Sequence, residues 1–271
     1  MDRRRFLTAL PLAAGLAGCV SEPGTDDTTT PSTGTSSATD TATSTERPAP
    51  DVRLRSSFRY GINDDGIGVE APEHDQFAFV RPTGSSGDPS PTDFSLVLGD
   101  EQYTPASSVR GFRAWTPGVE SVYTADGRSG WLKFDVPAVE TDSVALVRDG
   151  TSQPLSEADR ARLATAPELR LESVDVPESV ASGDPIQLGV TVANEGEVTG
   201  TFLAGFRTGG YPKTLDVRVA PGETASGSVS YREISDDGAH FAFDYPGGDR
   251  SYEVDVTTER ATGTATSTDA A

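Results

Sequence analysis

The stretch Ile186-Gln187-Leu188-Gly189-Val190-Thr191-Val192-Ala193-Asn194-Glu195-Gly196-Glu197 decides the fold of the chain's C-terminal half. Ile186, Leu188, Val190 and Val192 recur every second residue, which places them on one face of an extended strand. Asn194 and Gly196 then offer the backbone freedom of a tight turn. The pattern repeats on either side. Leu169, Leu171, Val174 and Val176 form an opening strand before Pro177, and Ser182-Gly183-Asp184 turns into the quoted run. Thr199–Phe206 follows as a strand. Val217 and Val219 precede Ala220-Pro221-Gly222-Glu223-Thr224, and the segment closes with Val229-Ser230-Tyr231 and Tyr252-Glu253-Val254-Asp255-Val256. Short alternating strands separated by turn residues predict an antiparallel β-sandwich over residues 167–257.

This segment resembles the cell-adhesion-related domain found in bacteria, an immunoglobulin-like sandwich. Gly183, Val190, Val192, Asn194, Gly196, Pro221, Gly222 and Glu223 carry the likeness. In that family Val-x-Val-x-Asn-x-Gly is a strand entering a turn, and Pro-Gly-Glu is the turn before the next core strand. The resemblance implies a fold and, loosely, adhesion or docking, because sandwiches host many functions.

Residues 51–166 are read as a second β domain. Candidate strands are Val52–Tyr60, Gln76–Arg81, Phe94–Leu98, Trp131–Val136 and Ser143–Arg148, with turn chemistry at Asp64-Asp65-Gly66, Ser85-Ser86-Gly87-Asp88 and Asp126-Gly127. Leu132, Phe134 and Val136 alternate with Lys133 and Asp135, as expected of a strand with one wet face. Phe94-Ser95-Leu96-Val97-Leu98-Gly99-Asp100-Glu101-Gln102-Tyr103, with the later Gly130-Trp131-Leu132-Lys133-Phe134-Asp135-Val136-Pro137, resembles the telokin-like immunoglobulin-like domains of secreted lipoproteins. Ser156 is a candidate N-cap for a short helix closing this domain. The expected class is therefore all-β: two immunoglobulin-like antiparallel sandwiches in tandem with a short connecting helix.

The N-terminus reads as an address and an anchor. Arg3, Arg4 and Arg5 precede the apolar and small-residue stretch Leu7 to Gly18, which has the length of a signal h-region and is too short to span a bilayer. Arg3, Arg4, Phe6 and Leu7 resemble the twin-arginine export motif. Leu16, Ala17, Gly18 and Cys19 resemble the lipobox of lipoproteins, in which the Cys is lipidated and becomes the mature N-terminus. Cys19 is the sole cysteine of the chain, so no intrachain disulfide is available. From Ser21 to Pro50, Ser and Thr supply 15 of 30 residues with no hydrophobic period, so residues 20–50 are expected to be a disordered tether. Such a coil reaches roughly 30 Å, and about 100 Å when stretched. Residues 258–271 are expected to be a disordered tail.

Composition bounds the rest. The 271 residues carry 22 Lys+Arg against 42 Asp+Glu, a net charge of −20, and only Lys133 and Lys213 are lysines. An acidic, Lys-poor surface resembles proteins of extremely halophilic archaea, where dense carboxylates hold hydration under molar salt. Together these features resemble a haloarchaeal twin-arginine-exported lipoprotein. Phosphate backbones need clustered basic residues, so nucleic acid is not an expected partner.

Chemistry is sparse. His74 and His240 fall in different domains, and Glu73-His74-Asp75 reads as an exposed turn more readily than as a metal site. Asn63-Asp64-Asp65-Gly66 and Asp236-Asp237-Gly238 lack the spacing of a Ca²⁺ loop. No nucleophile elbow or phosphate loop occurs, so no catalytic residue, metal or cofactor is expected. The aromatics are the remaining lead. Trp115 sits in a loop and, with Tyr123, is the candidate contact for a ligand or partner. Trp131 is exposed if the face of Leu132, Phe134 and Val136 is the core, and buried if a bulge reverses the register.

The expected function is a non-enzymatic lipoprotein on the extracellular face of the cytoplasmic membrane. It would be held to lipid through Cys19 and present its sandwiches to a protein partner. The alternative is an accessory lipoprotein that binds a glycan or solute in association with a transporter.

Overall fold

The computed structural model describes residues 48–62, 66–83, 89–110, 113–126, 129–207, 211–232 and 239–257. The chain is all-β, built from antiparallel sheets with one α-helix among the described residues. The export motif, the lipobox, Cys19 and the expected tail lie outside the described residues, as does the tether up to residue 47. Pro48–Pro50, the last residues of the expected tether, belong to the folded body. Pro50 is buried, and the carbonyl of Pro48 accepts hydrogen bonds from Thr83 Oγ1 at 2.7 Å and Gln153 Nε2 at 2.5 Å.

The C-terminal sandwich contains β11 (Leu169–Asp175), β12 (Ser179–Ala181), β13 (Pro185–Asn194), β14 (Gly200–Arg207), β15 (Lys213–Val219), β16 (Thr224–Arg232), β17 (Ala239–Tyr245) and β18 (Gly248–Thr257). One sheet has the order β11-β13-β16 and the other β12-β18-β17-β14-β15; β12 runs parallel to β18 and every other pair is antiparallel. The quoted strand behaves as its period demands: Ile186, Leu188, Val190 and Val192 are buried against Phe202, Phe206, Phe241 and Phe243.

Asn194 ends that strand as a four-way tie. Its amide Nδ2 donates to the carbonyls of Val198 at 2.8 Å and Val219 at 3.1 Å. Its Oδ1 accepts from the backbone N–H of Glu168 at 3.2 Å and of Gly196 at 3.1 Å. All four hydrogen-bonding positions of the buried amide are filled. Gly196 is required beside it, because a Cβ there would lie 2.7 Å from Glu168 N. Gly222 of the Pro-Gly-Glu turn takes φ +68 and donates its N–H to the carbonyl of Asn194.

The N-terminal sandwich contains β1 (Asp51–Arg55), β2 (Phe58–Gly61), β3 (Ile67–Glu70), β4 (Gln76–Arg81), β5 (Phe94–Leu98), β6 (Glu101–Tyr103), β7 (Arg113–Ala114), β8 (Leu132–Val136), β9 (Val144–Arg148), β10 (Thr151–Pro154) and α1 (Glu157–Leu163). Its two facing sheets are β1-β4-β8 and β10-β9-β5-β6. Between them pack Ala78, Val80, Leu96, Leu132, Phe134, Val136 and Leu146. The Ser156 hydroxyl caps α1 as its position predicts, accepting from Asp159 N at 3.1 Å. Leu163 fixes the helix to the core, where its carbonyl accepts from the buried Gln76 amide at 2.9 Å.

A third sheet, β3-β2-β7, departs from the sequence reading. The expected strand Val52–Tyr60 is two strands that separate at Ser56-Ser57, β1 remaining with β4 while β2 pairs with β3 and β7. The small sheet lays Phe58 and Tyr60 over the outer face of β4 and β8, where they join Phe77, Phe79, Val119 and Trp131 in a second core. The side of β8 expected to be wet is therefore dry. Lys133 is 4% exposed and Trp131 2%. No bulge reverses the register: Trp131 and Lys133 share one face, Leu132 and Phe134 the other, and both faces are covered.

The other face of the small sheet meets the C-terminal sandwich. Ile67 is fully buried against Gly205 of β14, where a Cβ would stand 2.4 Å from Ile67 Cγ2. The β2–β3 hairpin is thus a wedge with an apolar contact on each side.

Candidate functional site

The aromatic residues singled out by sequence do not form a common surface. Tyr123 is corrected: it is buried at 4% exposure, packs edge-on against Phe94 at 6.0 Å, and its hydroxyl donates to the carbonyl of Pro89 at 2.6 Å. It serves the core of the first sandwich. Trp131 is also closed to an incoming ligand. The guanidiniums of Arg53 and Arg81 lie 5.0 Å and 4.3 Å from its ring centroid, each at cation–π distance. Trp115 is half-buried and its backbone is clamped to Arg59, donating to the Arg59 carbonyl at 2.8 Å and accepting from Arg59 Nε at 3.1 Å.

That clamp leads to the junction between the sandwiches, which sequence reading passed over. Arg59 projects from β2 with 4% exposure. Its Nη1 donates to the carbonyl of Ala204 at 3.1 Å, to the carbonyl of Leu215 at 3.3 Å and to Asp216 Oδ1 at 2.6 Å. An arginine of the first sandwich thus binds main chain and carboxylate of the second. Burying a guanidinium is costly unless its donors are matched, and here they are matched by three acceptors across the junction and by Trp115 within its own sandwich. The only sequence signal was an arginine between two aromatics, Phe58-Arg59-Tyr60.

Lys133 repeats the principle in the second core. Its Nζ lies 2.6 Å from Glu70 Oε1 and 4.2 Å from the ring centroid of Phe77. Burial pushes its pKa down, and the Glu70 hydrogen bond works against that shift. The acids around His74 are used on backbone. Asp135 accepts from the N–H groups of Glu73 and His74, and Asp75 accepts from Ala138 N. Among the described residues, no three His, Cys, Asp or Glu side chains are grouped to hold a metal ion. The two acidic turns considered as Ca²⁺ loops fall largely outside those residues. No helix among them is long and apolar enough to cross a membrane.

Recesses lie near the Arg59 junction. A cleft of about 330 Å³ opens between the sandwiches, with walls from β1, the segment after α1, the Val198–Thr201 turn and β15. A second recess of about 460 Å³ adjoins it on the side of Trp131 and shares Arg55 and Arg162 with it.

No protein-family model and no curated protein matches the chain. Among solved structures, it is similar to a β-glucosidase from Listeria innocua at 14% identity and a TM-score of 0.26, over 56% of this chain and 22% of that one. Domains 4 and 5 of the S-layer protein SbsC align at 12% identity and a TM-score of 0.21, over 78% of this chain and 99% of that one. A polysaccharide lyase aligns at 12% identity and a TM-score of 0.19, over 77% and 26%. The chain spans about a fifth of the length of the β-glucosidase chains that it matches over half its own length. Superpositions this loose carry no functional inference.

Proposed function

We propose that the chain is a non-enzymatic cell-surface lipoprotein that presents two docked β-sandwiches as one interaction module. The observation that supports this reading best is the N-terminal order of Arg3-Arg4-Arg5-Phe6-Leu7, a short apolar stretch, and Leu16-Ala17-Gly18-Cys19 holding the single thiol. A Ser/Thr-rich segment then leads to the body that begins at Pro48. In this reading Cys19 takes the lipid and the tether lifts the sandwiches off the extracellular face of the cytoplasmic membrane. The acidic surface keeps the protein hydrated in concentrated salt. Twin-arginine export carries cargo already folded, which suits two sandwiches that share a buried junction.

The test is to express the full chain and follow lipid labelling and fractionation. Wild type is expected to take up labelled lipid and sediment with membranes. Cys19→Ser is expected to lose the label and appear outside the cell, and Arg3→Lys with Arg4→Lys to accumulate unprocessed precursor. Lipid-free, soluble wild-type protein would contradict the reading. Affinity capture of the anchored protein from membranes in molar salt then asks for a stoichiometric protein partner. The second reading, an accessory ligand-binding lipoprotein, draws its support from the arginine-lined cleft between the sandwiches.

A further inference from the structure

The basic residues of this acidic chain are unevenly used. Arg55 on β1, Arg162 on α1 and Arg218 on β15 all line the cleft between the sandwiches. Arg53 and Arg55 converge at Gly118, where a Cβ would meet Arg53 Nη1 at 2.1 Å and Arg55 Nη2 at 3.4 Å. Arg55 donates to neutral carbonyls, Leu54 O at 2.7 Å and Pro117 O at 2.8 Å. Among the described residues the ion pairs of this group reduce to one, Arg162 with Asp159 at 3.0 Å. Burial, and after it the charges of Arg53 and Arg162, push the Arg55 guanidinium below its ordinary pKa.

Gathering like charges around a half-buried guanidinium is unfavourable unless an anion offsets it. The cleft lining includes no acid; Asp51 and Asp159 lie in the adjoining recess that shares Arg55 and Arg162, which leaves Arg55 and Arg218 facing the cleft without a carboxylate of its lining. The remaining lining is uncharged and mixed: Ser56, Thr165, Thr199 and Thr201 supply hydroxyls beside the apolar Leu54, Pro167 and Val198. The cleft volume lies at the lower end of the range for small-ligand sites. Molar salt screens long-range attraction to a few Å, so selection over chloride must come from geometry. A guanidinium supplies that geometry by forking two N–H donors onto two oxygens of a carboxylate or sulfate.

We propose that the cleft between the two sandwiches is a binding site for the oxyanion group of a small hydroxylated ligand, held by Arg55, Arg162 and Arg218. The guanidiniums take the carboxylate or sulfate, and the Ser and Thr hydroxyls take the ligand's own hydroxyls. The inference deepens the second of the two functional readings and is independent of the Cys19 anchor. Its test is made in solution, so failure of the anchor and failure of the site are distinguishable.

The experiment is titration calorimetry of the full chain in molar KCl with three probes: glucuronate, glucose and sulfate. The proposal expects saturable 1:1 binding of glucuronate, no binding of glucose, and sulfate competing with glucuronate. Arg218→Gln and Arg55→Gln should each weaken glucuronate at least tenfold. Arg218 is exposed on the edge strand β15, so its variant is expected to fold as wild type does. Sulfate bound while glucuronate is not would assign the oxyanion to a free inorganic ion and overturn the hydroxylated ligand. Glucuronate bound equally by wild type and both variants, or no binding of either anion, would overturn the site.

Discussion

The two sandwiches bury their strands differently. In the C-terminal one, β13 alternates buried positions with exposed or half-buried ones over most of its length, β16 alternates half-buried with exposed ones, and a single core lies between two sheets. In the N-terminal one, β4 is buried at five of six positions and β8 at four of five, because the β3-β2-β7 sheet covers the side that a two-sheet sandwich leaves to solvent. Alternation is a complete description of the first arrangement and half a description of the second. It reports which residues share a face, and a period of two carries no information about whether a further layer covers that face.

The largest effects come from breaking each core at its distinctive residue. Trp131→Ala removes the largest side chain of the second core and is expected to cost about 4 kcal/mol. Asn194→Ala leaves the carbonyls of Val198 and Val219 and the N–H groups of Glu168 and Gly196 without their side-chain partner, also costing about 4 kcal/mol. Chemical denaturation of both variants checks the pair. A loss below about 1 kcal/mol for Trp131→Ala would mean that the outer face of β8 is wet after all.

What was legible follows from the same contrast. The β13 strand, its Asn194-Gly196 turn and the Ser156 cap were readable because local chemistry determines them. The division of Val52–Tyr60 into β1 and β2 was not, because Ser56-Ser57 is a weak break within a sound β pattern. The hairpin Asp149-Gly150, with φ of 49 and 74, was passed over although its dipeptide is a strong turn signal. Tyr123 was misread as a contact because aromatic residues near one another in sequence need not share a surface. Arg59 binds residues 145 to 157 positions away, and the cleft gathers arginines from β1, α1 and β15, juxtapositions that no local pattern encodes.

Glu70 sharpens the comparison by testing the charge inside the second core. Glu70→Ala leaves the Lys133 ammonium without its carboxylate and is expected to cost about 3 kcal/mol at neutral pH. Lys133 is already pushed below its ordinary value by burial. A lysine lowered in the folded state gains stability as pH rises through its folded value, so the deficit should shrink in alkaline solution. A deficit constant with pH would show that packing, and not the buried charge, carries the loss.

The smallest effect lies in the C-terminal sandwich, at Asp244. Burial raises its carboxyl above the ordinary value, against the pull of Arg207 at 2.6 Å. A raised carboxyl contributes stability that is fully present below its unfolded value and lost as pH rises through its folded value. Wild type should therefore gain stability on acidification relative to Asp244→Asn, by less than about 1 kcal/mol. Parallel denaturation of the two proteins across pH 4 to 7 or so reads this difference; a gain of opposite sign would place the ionised carboxylate as the stabilising form.

The central claim is that the β2–β3 hairpin, through Arg59 and Ile67, joins two differently built sandwiches into one cooperative body. Differential scanning calorimetry of the full chain, beside Arg59→Met, tests it most directly. One transition in wild type, with calorimetric and van't Hoff enthalpies equal, and two separated transitions in Arg59→Met are the expected result. Two independent transitions already present in wild type would contradict the account.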